Sequence, residues 1–324
     1  MNRSLKIKDA QGVEIDMGRI ICGGSSKLML DGAYDESYLR WLVDHHVNTF
    51  DLARVYGNGS SEEHFGRNLG NIRRSDIVII TKCCHPKYGI FRRVDRQSAI
   101  EDVQASLKAM GVDYVDLVLL HRDDERKDIG EIITFMNELI VRGYTRAIGV
   151  SNFSIKRIKE ANDYAKSHSL QPFVVNEPQF SLVVRKRDPW HNGSKSMNGN
   201  EKETNVEFFS KNNISVLCYS SLADGFLSGK YRSNDNEFKK HLSFCSRYAY
   251  YDKRNLEILK RAERLSSSKH VSLPQLSLSY VLHQRCPTAA IVNLSSIQRA
   301  EENLGALDVD LTDDDIRYLE NGNQ

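Results

Sequence analysis

Four side chains suited to proton handling stand at or just past the ends of apolar runs. Asp51 closes "VNTFDL", and Tyr56 follows five residues later in the Gly-rich "VYGNGSS". Lys82 ends "DIVIITK" and His121 ends "VDLVLLH". A free tyrosine has a pKa of about 10 and donates poorly at neutral pH. A lysine cation beside it favours the phenolate and so makes it a better acid. An aspartate beside that lysine would hold the cation in place, and a histidine could orient a substrate oxygen. Each residue alone has a structural use: an Asp after a strand caps a helix, and a Tyr is often half-buried on a surface. The chemistry requires that all four meet.

The elements that would bring them together are legible as alternation. Eight short apolar runs read as strands: Gly18–Gly23, Val47–Leu52, Asp76–Lys82, Val115–His121, Arg146–Ser151, Phe173–Asn176, Ile214–Ser220 and Ala289–Val292. Near-continuous apolar runs suit parallel strands buried on both faces. Helical periodicity lies between them. Ile100, Val103, Leu107 and Met110 share one face, as do Ile129, Ile132, Ile133, Met136 and Ile140. Ser154 fits a helix N-cap, and Gly111 and Gly143 fit helix ends. Eight βα units over 1–324 predict one domain, an α/β (β/α)8 TIM barrel with long loops at its C-terminal face. Those loops are expected near Asp188–Glu203 and from Asp224 to about Tyr251. "LKIKDAQGVEI" (Leu5–Ile15) predicts an N-terminal β-hairpin that could cap the barrel bottom. Ser266–Ser268 reads as a link between helices, and the chain from Asp313 as a final helix with a frayed end. An open doubly wound sheet is the alternative, but its G-x-G-x-x-G turn is missing. Gly57-x-Gly59 has Glu62 where the third glycine belongs. In a barrel, strand C-termini gather at one mouth, so the four residues converge.

Composition narrows the class. The 324 residues are 40% hydrophobic and 27% charged, with 45 basic against 43 acidic residues. Such balance argues against a nucleic-acid surface. No apolar run approaches the ~20 residues of a membrane helix, and "MNRSLKIKDAQG" has no signal-peptide core. The six cysteines include no C-x-x-C pair, which points to free thiols in a cytoplasmic protein. Cys83, Cys84 and His85 with His121 could be imagined as a zinc site, but adjacent cysteines lack the usual ligand spacing, so no metal is expected. "RKR" (Arg185–Arg187) reads as a solvated run, His45–His46 as a helix end, and "RYAYYD" (Arg247–Asp252) as packing. Trp190 and His191 are candidates for the pocket mouth.

Asp51, "VYGNGSSEEHFG", "ITK" and "LLH" resemble the Asp-Tyr-Lys-His tetrad of the aldo-keto reductases. "IGVSNF" (Ile148–Phe153), "NEPQFSL" (Asn176–Leu182), "YSSLADGFLSGKY" (Tyr219–Tyr231) and "AEENLGAL" (Ala300–Leu307) resemble further family motifs in the same order. The likeness runs from about Gly18 to Leu307. It implies a barrel that binds NADP(H) and transfers a hydride between nicotinamide and the carbonyl of a small aldehyde or ketone. By resemblance, Tyr56 is the general acid, Lys82 lowers its pKa, Asp51 pairs with Lys82, and His121 positions the carbonyl. Ser151, Asn152 and Gln179 would hold the nicotinamide carboxamide, with Tyr219 stacked on its ring. Ser220, Ser221, Leu222 and Lys230 would follow the pyrophosphate. Arg299, Glu302 and Asn303, at the start of the last βα helix, would meet the adenosine end.

Three departures qualify the likeness. Ser221 stands where the family has proline. "NLSSIQR" offers no cation at Asn293 or Ser295, leaving Arg299 to read a 2′-phosphate, so the expected preference for NADPH over NADH is weakened. The loop "GGSSKLMLDG", which would shape the substrate pocket, matches loosely. Some relatives resemble potassium-channel β subunits, so a nucleotide-binding regulatory subunit with little turnover is the second reading. The residues identify no protein partner.

Overall fold

A computed structural model describes residues 2–87, 91–191, 193–235 and 237–322. Strands β1 (Ser4–Lys8) and β2 (Glu14–Gly18) form an antiparallel hairpin. The barrel strands are β3 (Ile20–Gly23), β4 (Thr49–Asp51), β5 (Val78–Cys83), β6 (Val115–Leu120), β7 (Thr145–Ser151), β8 (Val175–Glu177), β9 (Ser215–Cys218) and β10 (Thr288–Val292). Neighbours are parallel in sequence order, and β10 pairs with both β9 and β3, which closes the ring. The closed (β/α)8 barrel predicted from the alternation is therefore present, and the open sheet is excluded.

Alternation along each strand makes two cores. Val78, Ile80, Leu117, Leu119, Ala147, Val175, Leu217, Ala289 and Ile291 fill the barrel interior. Their neighbours Ile79, Val118, Leu120, Ile148 and Val216 face outward against the helices. Leu5, Ile7, Ile15 and Met17 of the hairpin join the interior cluster, so the hairpin plugs the barrel bottom as expected. Arg146 of β7 fastens it there, 3.0 Å from Asp9 at the hairpin turn and 3.1 Å from Asp116 of β6. Asp9 makes the turn itself by accepting from the amides of Gln11 and Val13.

The helices start where their sequences provide caps. Asp95 opens Arg96–Met110 by accepting from the amide of Ser98, and Gly111 ends it at φ 66°. Ser154 caps Ile155–Ser167 as predicted, and Ser272 with Gln275 forms a full capping box on Leu273–Leu282. The predicted helix faces are the packed ones: Val103, Met110, Ile132, Ile133 and Met136 are buried.

Several expectations shift. Ser266–Ser268 are not a link: they are the last turn of the helix Lys253–Ser268, their hydroxyls bonded back to carbonyls of the preceding turn. The stretch from Asp224 to Tyr251 is not all loop. It holds the short helices Phe238–His241 and Phe244–Tyr250, drawn in because Phe226, Phe238 and Tyr250 pack together. The packing role of "RYAYYD" thus holds for Tyr250. The last helix is Asp313–Asn321, capped by Thr312. The frayed end expected beyond it falls on residues 323–324, outside the described residues.

Candidate active site

Alternation also builds the site. Two residues on from the interior Ile80, Leu119, Val175 and Leu217, the inward side chains become polar (Lys82 on β5, His121 after β6, Glu177 on β8 and Tyr219 after β9), and Asp51 and Ser151 end β4 and β7 beside them. Five of them line one cleft of about 640 Å³ at the C-terminal mouth, and Lys82 is buried just behind its wall.

Lys82 is the hub. Its Nζ donates to Asp51 Oδ1 at 2.5 Å, to the Leu52 carbonyl at 3.2 Å and to the Tyr56 hydroxyl at 3.0 Å. Glu177 Oε1 lies 3.5 Å away. Three ammonium hydrogens are matched by three short acceptors. Since Lys82 donates to Tyr56, the phenol's own hydrogen is left to point elsewhere. Burial alone would lower Lys82, but Asp51, Glu177 and Tyr56 raise its pKa, so it stays a cation. Burial also sets the direction for Tyr56, whose pKa lies above the ordinary value; Lys82 pulls it down and the two carboxyls push it up. The expectation that Lys82 leaves Tyr56 a stronger acid than usual is thus corrected for this state: the lysine acts in that sense, but desolvation is larger.

The loop carrying Tyr56 is fixed from below. Glu62, fully buried, accepts from Thr81 Oγ1 at 2.7 Å and pairs with Arg54 at 3.1 Å. Arg54 passes so close to Gly59 that a Cβ there would meet its guanidinium at 2.2 Å, and Gly59 has φ 100°. Glu62 is therefore an anchor that clamps the turn between Asp51 and Tyr56. That explains why the third glycine of a phosphate loop is absent.

His121 is buried, and its Nδ1 has no partner among the described residues. Burial, then the charges of Arg122 and Lys82, hold its pKa well below the ordinary range. It is neutral at pH 7. An unpartnered buried nitrogen costs less as a lone pair than as an N–H, which assigns the proton to Nε2. His85 packs edge-on against it at 4.6 Å and is pushed down to about 4, by burial first. Both histidines must take up protons when the chain unfolds in acid. The protein is therefore expected to lose stability as pH falls from 6.5 toward 4, because the unfolded state binds more protons in that window. Thermal unfolding followed across this range should show the loss, and His85→Gln should flatten part of the slope.

Ser151, Asn152, Tyr219, Ser220, Ser221 and Leu222 line the cleft. Asn152, at φ 63°, accepts from the Tyr219 hydroxyl at 2.8 Å and from the Lys195 amide at 2.9 Å, which locks the Tyr219 ring. Ser151 donates to the Glu177 carbonyl at 3.0 Å, and Ser221 to the Cys218 carbonyl at 2.7 Å. The turn after β9 holds Ser220, Ala223 and Asp224 at positive φ, strain of the kind kept at binding sites. Trp190 lines the same cleft, 6.0 Å from the Tyr219 ring, while His191 packs on Tyr248 instead. Arg299 lines its far end.

Other expected contacts are not made. Gln179 is fully buried, its amide spent on Ser196 and Ser181, and it does not line the cleft. Lys230 is exposed over the Tyr231 ring. Glu302 and Asn303 are at the end, not the start, of the last βα helix, which spans only Ile297–Leu304. Arg299, Glu302 and Asn303 still share a face at i, i+3 and i+4, and Asn303 keeps a buried, unpartnered Nδ2. Cys83 also reaches Met136 Sδ and Cys84 the Asp95 carbonyl, and the neighbouring Cys84 thiol together with burial pushes Cys83 well up. Among the described residues no cluster of three metal-ligating side chains forms.

Glu177 is the residue the sequence reading missed. Ending the strand at Asn176 put it in a loop. The rule that flagged Lys82 and His121, a charged group capping an apolar strand, flags it as well.

The model of the aldo/keto reductase family matches residues 21–323. The chain belongs to the aldo/keto reductase family of oxidoreductases. It is 30% identical to a probable voltage-gated potassium channel β subunit of Arabidopsis thaliana, over 86% of this chain and 84% of that one. It is 27% identical to the NADP(+) aldo-keto reductase yakc of Schizosaccharomyces pombe, over 88% of this chain and 81% of that one. A solved structure of a thermostable aldo-keto reductase with the inhibitor epalrestat shares the fold, with TM-score 0.70 at 21% identity over 98% of both chains. Among the described residues no helix is long and apolar enough to cross a membrane.

Proposed function

We propose that the protein, one barrel domain over its whole length, is an NADP(H)-dependent reductase of small aldehydes or ketones. The observation that carries this is Lys82 donating to the Tyr56 hydroxyl at 3.0 Å while held by Asp51 in the wall of the cleft. The cleft suits the cofactor: its lining holds this cluster's Asp51 and Tyr56, the Tyr219 ring and the cation Arg299, in the first turn of the helix Ile297–Leu304. When bound, NADPH supplies the hydride for the carbonyl carbon. As the carbonyl oxygen gains charge, the Tyr56 O–H gives it a proton, and the phenolate left behind is stabilised by Lys82. His121, neutral and protonated at Nε2, holds the same oxygen by a hydrogen bond. Ser151 and Asn152 would hold the carboxamide, and the fixed ring of Tyr219 would stack on the nicotinamide, with Ser220, Ser221 and Leu222 along the pyrophosphate.

Consumption of NADPH with a panel of aldehydes and ketones tests the reading. Tight NADPH binding without consumption would favour a regulatory subunit, which the potassium-channel relative keeps in play. Cofactor choice has its own test. Arg299 is the one cation assigned to the adenosine end, so Arg299→Ala should weaken NADPH about tenfold or more and NADH little. Fluorescence titration with both cofactors measures this, and an equal loss for both would remove Arg299 from 2′-phosphate recognition.

A further inference from the structure

We propose that Asp51 and Glu177 share one proton, carried by Glu177, and that loss of this proton sets the alkaline limit of catalysis. The first half rests on the donor geometry around Glu177; the second rests on the reductase reading above.

The argument is a count of donors. Glu177 ends β8 inside the barrel and is buried. Its Oε1 lies 3.5 Å from Lys82 Nζ, but the three hydrogens of that ammonium already go to Asp51, Leu52 and Tyr56. Its Oε2 has no partner among the described residues. The other neighbours offer nothing better. On β7, the Ser151 hydroxyl donates to the backbone carbonyl of Glu177, away from its carboxyl. Past β6, His121 is neutral; Arg122 gives Nη1 to the His121 carbonyl, and its charge favours an ionised Glu177, but its buried Nε makes no hydrogen bond to the Glu177 carboxyl among the described residues. On β9, the Cys218 thiol, kept protonated by burial, points its S–H at the Val216 carbonyl, 3.8 Å away. An ionised Glu177 would thus be a buried carboxylate without a hydrogen bond, among the costliest arrangements in a protein interior. As an acid it becomes a donor, and the Asp51 carboxylate beside it is the acceptor; a hydrogen bond between the two side chains fits their placement. Asp51 keeps the charge because it receives the short bond from Lys82. Two carboxyls crowded this closely titrate as a unit.

The shared proton matters for Tyr56. With Glu177 protonated, the cluster carries Lys82 against Asp51 and is neutral. When the proton leaves, the cluster carries one excess negative charge, and both carboxylates then oppose ionisation of Tyr56. The phenol holds its proton harder, and carbonyl reduction slows. Glu177 is accordingly a positioning residue that acts through Lys82 and Asp51.

Glu177→Gln fixes the neutral, donating form in nearly the same shape. Infrared spectra at neutral pH should show a carboxylic-acid C=O stretch in the wild type that is missing from Glu177→Gln. The alkaline limb of kcat should move up by roughly one pH unit or more in the variant. No infrared difference would overturn the shared proton, whether or not the protein is a reductase. A difference in the band with an unchanged pH profile would overturn the link to catalysis. Absence of turnover in both proteins would count against the reductase reading and leave the infrared result standing. If the variant does not fold, carbon-13 NMR of wild-type protein labelled at the glutamate carboxyls replaces it: one glutamate still protonated at pH 7 supports the proposal, and none overturns it.

Discussion

Tyr56→Phe will lower turnover by about 10²–10⁴-fold and leave NADPH binding nearly unchanged. The hydroxyl it removes is the group that Lys82 Nζ reaches at 3.0 Å and the proton donor assigned to the cleft. The ring stays, so the cleft keeps its shape, and its edge-on contact with His121 at 6.2 Å is retained. The loop is held by Glu62 and Arg54, not by the phenol, so folding is not at stake. The loss should fall on kcat, since the proton moves only in the transition state. Steady-state kinetics with a cofactor titration read both quantities. Equal activity in the variant would remove Tyr56 from the chemistry.

Lys82→Met will abolish activity and also destabilise the fold by about 3 kcal/mol or more. Lys82 is the cation between two buried carboxyls, and its removal leaves Asp51 and Glu177 facing each other. Both will take up protons more readily than they do now. Their folded-state pKa values then lie further above those of the unfolded chain, so the deficit is largest at high pH and shrinks as pH falls toward the carboxylate range. Thermal unfolding of the variant and the wild type across pH measures this. A deficit independent of pH would mean that lost packing, not unbalanced charge, is the cause. The pair of variants also separates roles: Tyr56→Phe tests the proton, and Lys82→Met tests the charge that supports it.

Much of this was legible from alternation. The apolar runs that gave the eight strands placed Asp51, Lys82 and His121 at strand ends and so at one mouth, while Ser151 and Tyr219 were legible only through the family resemblance. What escaped lies where local signals stop. Asn176 is polar, so the run before it looked finished, yet β8 extends through Glu177 because its backbone pairs with Ser151 on β7. Gln179 sits two residues on and looks suited to an amide ligand, but tertiary contacts with Ser181 and Ser196 claim its side chain. The balance on Tyr56 was also out of reach, because residue types reveal the lysine nearby but not how much water the fold removes. The role of Glu62 was invisible for the same reason: only the fold brings Thr81 and Arg54 to it.

The most direct test of the central claim follows the hydride itself. The protein would be incubated with NADPH deuterated at C4 of the nicotinamide, each face separately, and with a panel of aldehydes and ketones. The products would be read by mass spectrometry. A reductase of the kind proposed gives an alcohol that carries deuterium at the former carbonyl carbon, from one face of the cofactor only, and Tyr56→Phe gives almost none. NADPH that binds and is recovered intact across the whole panel, or alcohol that carries no deuterium, would contradict it.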